Sequence, residues 1–248
     1  MLHTSNISHV TLPNLRFFDF GGVSAYLEAL VSHMNAPLLK TLSITFFNQL
    51  TFPVSHLGQF VTTAENIRPS TVRFLFYHRA VVVFMHFSLS APEHTLYLRV
   101  GCEHLDWQVS SMAQIFNVLN PLFSAVNLTL DYRGHTPSSE WHNHNQADDT
   151  QWRKLLGSFR NVETLQIHDG LVGEVSRCLA LDGELASEIL PELKTLICPM
   201  GSRNDKTFAR FVHDREVAGR PINLIGDAFP TGDAGYTFET PAGTNYVR

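Results

Sequence analysis

The sequence has little of what staples a chain, inserts it in a membrane or makes it grip polyanions. Three cysteines in 248 residues, Cys102, Cys178 and Cys198, share no short spacing. That argues against a disulfide framework or a zinc knuckle and predicts buried, reduced thiols. The longest purely apolar run is Ala80–Met85, far short of the ~20 residues a membrane helix needs. The first residues, M-L-H-T-S-N-I-S-H-V, have neither a basic end nor an apolar core, so they do not read as a signal peptide. Positive charge is not in surplus: 18 Lys and Arg against 23 Asp and Glu give a net charge of −5 and a pI of about 6.2. Nucleic acid is therefore not expected as a main partner. Neither G-x-x-x-x-G-K-[ST] nor G-x-G-x-x-G occurs, and Gly22-Val23-Ser24-Ala25-Tyr26 lacks the last glycine of a nucleophile elbow. Phosphate cradles and a lipase-like serine are unsupported by motif. The expected location is cytoplasm or nucleus, with no membrane contact. What is present suffices for a core: 44% of residues are hydrophobic and 11% aromatic, which excludes a disordered chain.

A spaced apolar pattern organises the chain. An apolar residue is followed by another three positions on and a third two beyond that. Leu15, Phe18 and Phe20 fit, as do Leu39, Leu42 and Ile44; Val72, Leu75 and Tyr77; Val162, Leu165 and Ile167; and Leu193, Leu196 and Cys198. Thr95, Leu98 and Val100, and Ala125, Leu128 and Leu130, follow more loosely. First positions recur every 23 to 37 residues, which overlaps the roughly 20–29 residues of a leucine-rich repeat and exceeds it as insertions would. The final spacing of two is the period of a strand, so those residues point into a core and their neighbours point away.

Helix-period segments fill most gaps. Val23, Tyr26, Leu27, Leu30, Val31 and Met34 make one stripe, and Leu57, Phe60, Val61 and Ala64 follow Pro53. Asp106 is placed to cap a helix carrying Val109, Met112, Phe116 and Leu119. Further stripes are Trp152, Leu155, Leu156 and Phe159; Leu171, Val172, Val175 and Leu179; and Phe208, Phe211 and Val212, the last ended by Gly219-Arg220-Pro221. One gap differs: Thr71–His78, Val81–Ser88 and His94–Gly101 are three strand-like runs in succession, predicting an antiparallel meander in place of a helix. The fold expected is α/β, a leucine-rich-repeat-like right-handed solenoid with a parallel sheet inside and helices outside. It should occupy residues 1–225, followed by a loosely ordered tail over 226–248 that is rich in Gly, Pro and Thr.

With that phasing the inner sheet face presents Phe17, Phe74, Phe76, Tyr97, Arg99, Asn127, Asp131, Gln166 and His168. Exposed aromatics beside an arginine have the composition of an interface hot spot, and a protein ligand is the expected partner. The competing expectation is that these rings are buried. A different possibility is a metal-dependent enzyme built on Trp141-His142-Asn143-His144-Asn145, with Asp148 and Asp149 close by. Two imidazoles on one strand face with a carboxylate suit zinc or iron. The surrounding residues read as a polar loop, however, and leave the third ligand and the general base unassigned. Neither a metal nor any other cofactor is expected, nor is an enzyme. A structural repeat domain without a partner is the third possibility.

The joint pattern resembles the leucine-rich-repeat region of fungal, mushroom-type F-box-like proteins. The stretches that carry the resemblance are R-F-L-F-Y-H-R-A-V-V-V-F-M, L-D-W-Q-V-S-S-M-A-Q-I, T-Q-W-R-K-L-L-G-S-F-R-N-V-E-T-L, I-L-P-E-L-K-T-L and F-V-H-D-R-E-V-A-G-R-P-I. Together they cover most of residues 12–225. The resemblance implies a non-catalytic substrate-binding part of an F-box subunit of a cullin–RING ubiquitin ligase. Docking to the ligase adaptor would belong to an F-box, and no F-box-like segment is read before Leu12. An adaptor is expected as a partner only if an F-box lies upstream.

Overall fold

The computed structural model describes residues 9–64, 69–86, 95–119, 124–133, 149–168, 170–180, 189–201 and 206–227. The strands are β1 (Val10–Thr11), β2 (Phe17–Gly22), β3 (Met34–Asn35), β4 (Thr41–Phe46), β5 (Thr71–Phe76), β6 (Ala80–His86), β7 (Thr95–Gly101), β8 (Asn127–Tyr132), β9 (Thr164–Ile167), β10 (Thr195–Pro199) and β11 (Asn223–Asp227). The helices are α1 (Ser24–Val31), α2 (Ser55–Thr63), α3 (Leu105–Leu119), α4 (Asp149–Gly157), α5 (Val172–Leu179) and α6 (Lys206–Val217). The fold is mixed α/β with one large, mostly parallel sheet. None of the described helices is long and apolar enough to cross a membrane.

Nine strands form that sheet, in the order β11-β10-β9-β8-β5-β6-β7-β4-β2. Only β6 runs against its neighbours. The expected meander is present, but it is laid in reverse. After β4 the chain passes to β5, and β6 and β7 then return it to β4, so the partner of β4 is β7 and the partner of β8 is β5. Helix α3 then carries the chain from β7 back to β8, past β6 and β5. Its 15 residues give a helix of about 22 Å, and its Phe116 ring lies under β5, 5.2 Å from Phe74.

The core is one continuous layer between sheet and helices. Two rows of side chains cross the sheet in register. One runs Phe18, Leu42, Leu96, Met85, Val72, Leu128, Leu165, Leu196, Leu224; the next runs Phe20, Ile44, Leu98, Val83, Phe74, Leu130, Ile167. These residues pack in one cluster with Leu27, Leu57, Phe60, Val109, Phe116, Trp152, Val175, Phe208 and Phe211 from the helices. Consecutive helices touch in chain order, α1 on α2 through to α5 on α6. One of the sequence stripes turns out differently: Tyr26, 73% exposed, and Leu30 face outward from α1, while Leu27, Glu28 and Val31 face in.

Strands β2, β4, β9 and β10 are entered the same way. A four-residue turn precedes each, closed by Leu12 O, Ala36 O, Phe159 O and Leu190 O accepting from the N–H groups of Leu15, Leu39, Val162 and Leu193. Two residues on, one carbonyl of the neighbouring strand accepts two successive N–H groups: Arg16 O from Lys40 and Thr41, Ser70 O from Val126 and Asn127, Val126 O from Glu163 and Thr164, Glu163 O from Lys194 and Thr195. The apolar residue that opens these triplets, buried at Leu39, Val162 and Leu193, thus marks a recurrent backbone shape. At the far end, α6 stops in a Schellman turn: Gly219 has φ +72°, its N–H bonds to Glu216 O, and Arg220 N–H bonds to Arg215 O. The final strand extends through Gly226 and Asp227, two residues into the stretch expected as tail; the rest of that tail lies outside the described residues.

Candidate binding surface

The face of the sheet turned away from the helices carries the alternate residues of every strand. Its central row reads Asp19, Ser43, Tyr97, Phe84, Arg73, Thr129, Gln166, Ile197, Ile225. Of the residues expected there, Phe17 is 70% exposed at the β2 edge, Arg99 is exposed, and Tyr97, Asn127, Gln166 and His168 are half-buried.

Phe74 and Phe76 do not belong to this face. Both are fully buried, with Phe74 against Phe116 and Phe159 and Phe76 against Trp152. The reason is a shifted frame. In T-V-R-F-L-F-Y nearly every position is apolar, so spacing alone cannot assign faces. Val72 was expected to open a triplet, with Leu75 and Tyr77 inside. It instead occupies the second place, with Phe74 third and the buried Pro69 opening the unit. Arg73 held the missing signal: its cation had to face away from the helices.

Asp131 is also unlike its expectation. Its side chain is not an exposed contact but is buried, 3% accessible. The carboxylate accepts from Arg73 Nη2 of β5 at 2.8 Å and from Arg133 Nε, just beyond β8, at 2.9 Å. One carboxylate thereby orients two guanidinium groups on the open face.

The meander contributes an apolar and aromatic patch to this surface. Leu75 and Val82 face each other across β5 and β6, 4% and 7% exposed, outside the main core cluster. Beside them Phe84 meets Tyr97 edge-on, with ring centroids 5.3 Å apart, and stacks on His86. Burial raises the Tyr97 pKa; Arg99, which is hydrogen-bonded to the phenol, opposes that shift. Burial, then the nearby Arg73 cation, lowers the His86 pKa. Gln108 of α3 fixes the ends of the meander by donating from Nε2 to Tyr77 O and Cys102 O. Phe84, His86, Arg73 and Arg133 were not singled out from the sequence.

The expected residues do not converge on one spot. Tyr97 and Arg99 are on one strand, whereas Phe17 and Gln166 are six strands apart, about 29 Å at the usual strand spacing. The arrangement offers a broad contact face. Among the described residues there is no group of three or more His, Cys, Asp or Glu able to hold a metal ion; His142 and His144 lie outside the described residues.

No protein-family model, curated protein or solved structure matches this chain. The chemistry available is that of the sheet face itself. It has a floor of Leu75 and Val82, a ledge of Phe84 and Tyr97, and a border of arginines. Cys102 and Cys178, by contrast, are buried, with thiol pKa values pushed up to about 12, principally by burial, which disfavours the nucleophilic thiolate.

Proposed function

We propose that the protein is a non-catalytic recognition module that binds a protein ligand on the open face of its sheet. The observation that carries this reading is the Phe84–Tyr97 ledge with Arg99 and Arg73 around it, on a sheet whose other face is sealed by helices. Aromatic and arginine side chains concentrate binding energy at interfaces, and a rigid sheet loses little freedom when it binds.

The repeated turn and paired N–H geometry, together with helices that touch in chain order, support a leucine-rich-repeat-like right-handed solenoid. By the resemblance of its repeat stretches, the module is the substrate-binding part of an F-box subunit of a cullin–RING ubiquitin ligase, working in cytoplasm or nucleus. Attachment to the ligase adaptor would follow only if an F-box lies upstream.

The test is affinity capture from native lysate on the immobilised protein, compared with Tyr97→Ala and Arg99→Ala variants that melt at the same temperature as the parent. Proteins retained by the parent and lost on both variants support the reading. A capture profile unchanged by either substitution counts against it.

A further inference from the structure

We infer that the meander half of the open face takes an extended, carboxylate-rich peptide segment. This rests on the recognition reading above and names the chemistry of its ligand.

Local charge is the first argument. The chain carries a net charge of −5, yet Arg73, Arg99 and Arg133 gather on this face. Asp131 answers both Arg73 and Arg133, so one carboxylate balances two cations. Among the described residues no carboxylate lies within ion-pair distance of Arg99, which bonds instead to the Tyr97 phenol. Asp19, two strands away on the same face, bounds the basic area and places the acidic ligand over β7, β6, β5 and β8. On an acidic protein, such a patch attracts a negative ligand to one place while the surroundings repel it.

Spacing is the second argument. Arg99 on β7 and Arg133 beyond β8 are separated by three strand intervals, about 14 Å sideways. An extended peptide advances about 3.3 Å per residue and points alternate side chains to one side. Acidic residues four positions apart therefore reach the two guanidinium groups together. The side chain midway between them comes down over Val82 and Leu75. An apolar residue suits that position, because Leu75 and Val82 form the floor and the Phe84–Tyr97 pair the wall.

Selection of a random-peptide display library on the full-length chain tests this. Enriched peptides are then measured by fluorescence anisotropy against the parent and its variants. Acidic residues four apart around an apolar residue are expected. Replacing both acids by Gln, or making Arg99→Gln with Arg133→Gln, should weaken binding about tenfold and flatten its salt dependence. Arg99→Glu with Arg133→Glu should transfer preference to the Lys version of the peptide, a gain that misfolding cannot produce. Neutral or basic peptides lost on Tyr97→Ala, or peptides that need phosphoserine in place of the acids, overturn the carboxylate ligand but leave the surface standing. No enrichment, or enrichment indifferent to Tyr97→Ala, overturns both.

Discussion

Glu28 does for α2 what no residue near that helix does. Its carboxylate accepts from the N–H groups of His56 and Leu57, each at 2.8 Å, while Val54 at the N-cap offers no side-chain bond. A capping residue is normally sought within a few positions of the helix start; Glu28 comes from the previous helix, so no local pattern reveals it. Glu28→Ala should lower unfolding free energy by about 1–2 kcal/mol, read from the urea midpoint. Phe74 teaches the opposite lesson. The sequence left it open between a surface aromatic and a buried ring; it fills the space between the sheet, α3 and the turn after α4. Phe74→Ala should cost about 3–5 kcal/mol and broaden or abolish the cooperative thermal transition, whereas Tyr97→Ala should leave the melt nearly unchanged.

At the scale of elements, most strands and helices were legible because their apolar spacing matched one period clearly. Strands β4, β8, β9 and β10 show the expected core pairs, such as Leu42 with Ile44 and Leu165 with Ile167. The helix stop at Gly219 was legible too, since glycine is the residue that enters the left-handed region without steric penalty. A Cβ there would meet nothing within 4 Å, so any penalty is one of backbone conformation. Gly219→Ala should therefore destabilise by about 1 kcal/mol, visible as a small drop in Tm. The open-face assignment failed at β5 because that strand is apolar on both sides. Gly170 escaped notice as well: at φ +87°, its missing Cβ leaves room for Tyr132, whose ring and Cβ would come within 3.2–3.3 Å of a substituent.

For the molecule as a whole, the sequence foretold a single helical layer on a mostly parallel sheet but not the order in which the middle strands lie. Periodicity reports which way side chains point; it does not report which strand comes alongside which. Acid stability is a property of the whole fold to which the meander contributes. His86 sits half-buried near Arg73, with a folded-state pKa below its usual 6.5. Protonation is thus disfavoured in the folded state, and the unfolded chain binds more protons as pH falls through 6.5 towards the folded pKa. The protein should lose stability over that window, and below it the full penalty stays constant. His86→Gln should reduce the slope, as measured by urea titrations across the range.

The reversed meander also sets a timetable for assembly. Leu42 of β4 sits beside Leu96, and Val72 of β5 beside Leu128, so neither edge closes with the next stretch to be synthesised. A nascent chain that has emerged through β4 carries an unpaired strand border until β7 arrives. The hairpin of β5 and β6 keeps its own outer border bare until β8 follows. Delayed partners slow folding and leave hydrogen-bonding groups open to stray strands. Crowded synthesis should therefore make the middle of this chain the place where chaperones are most needed.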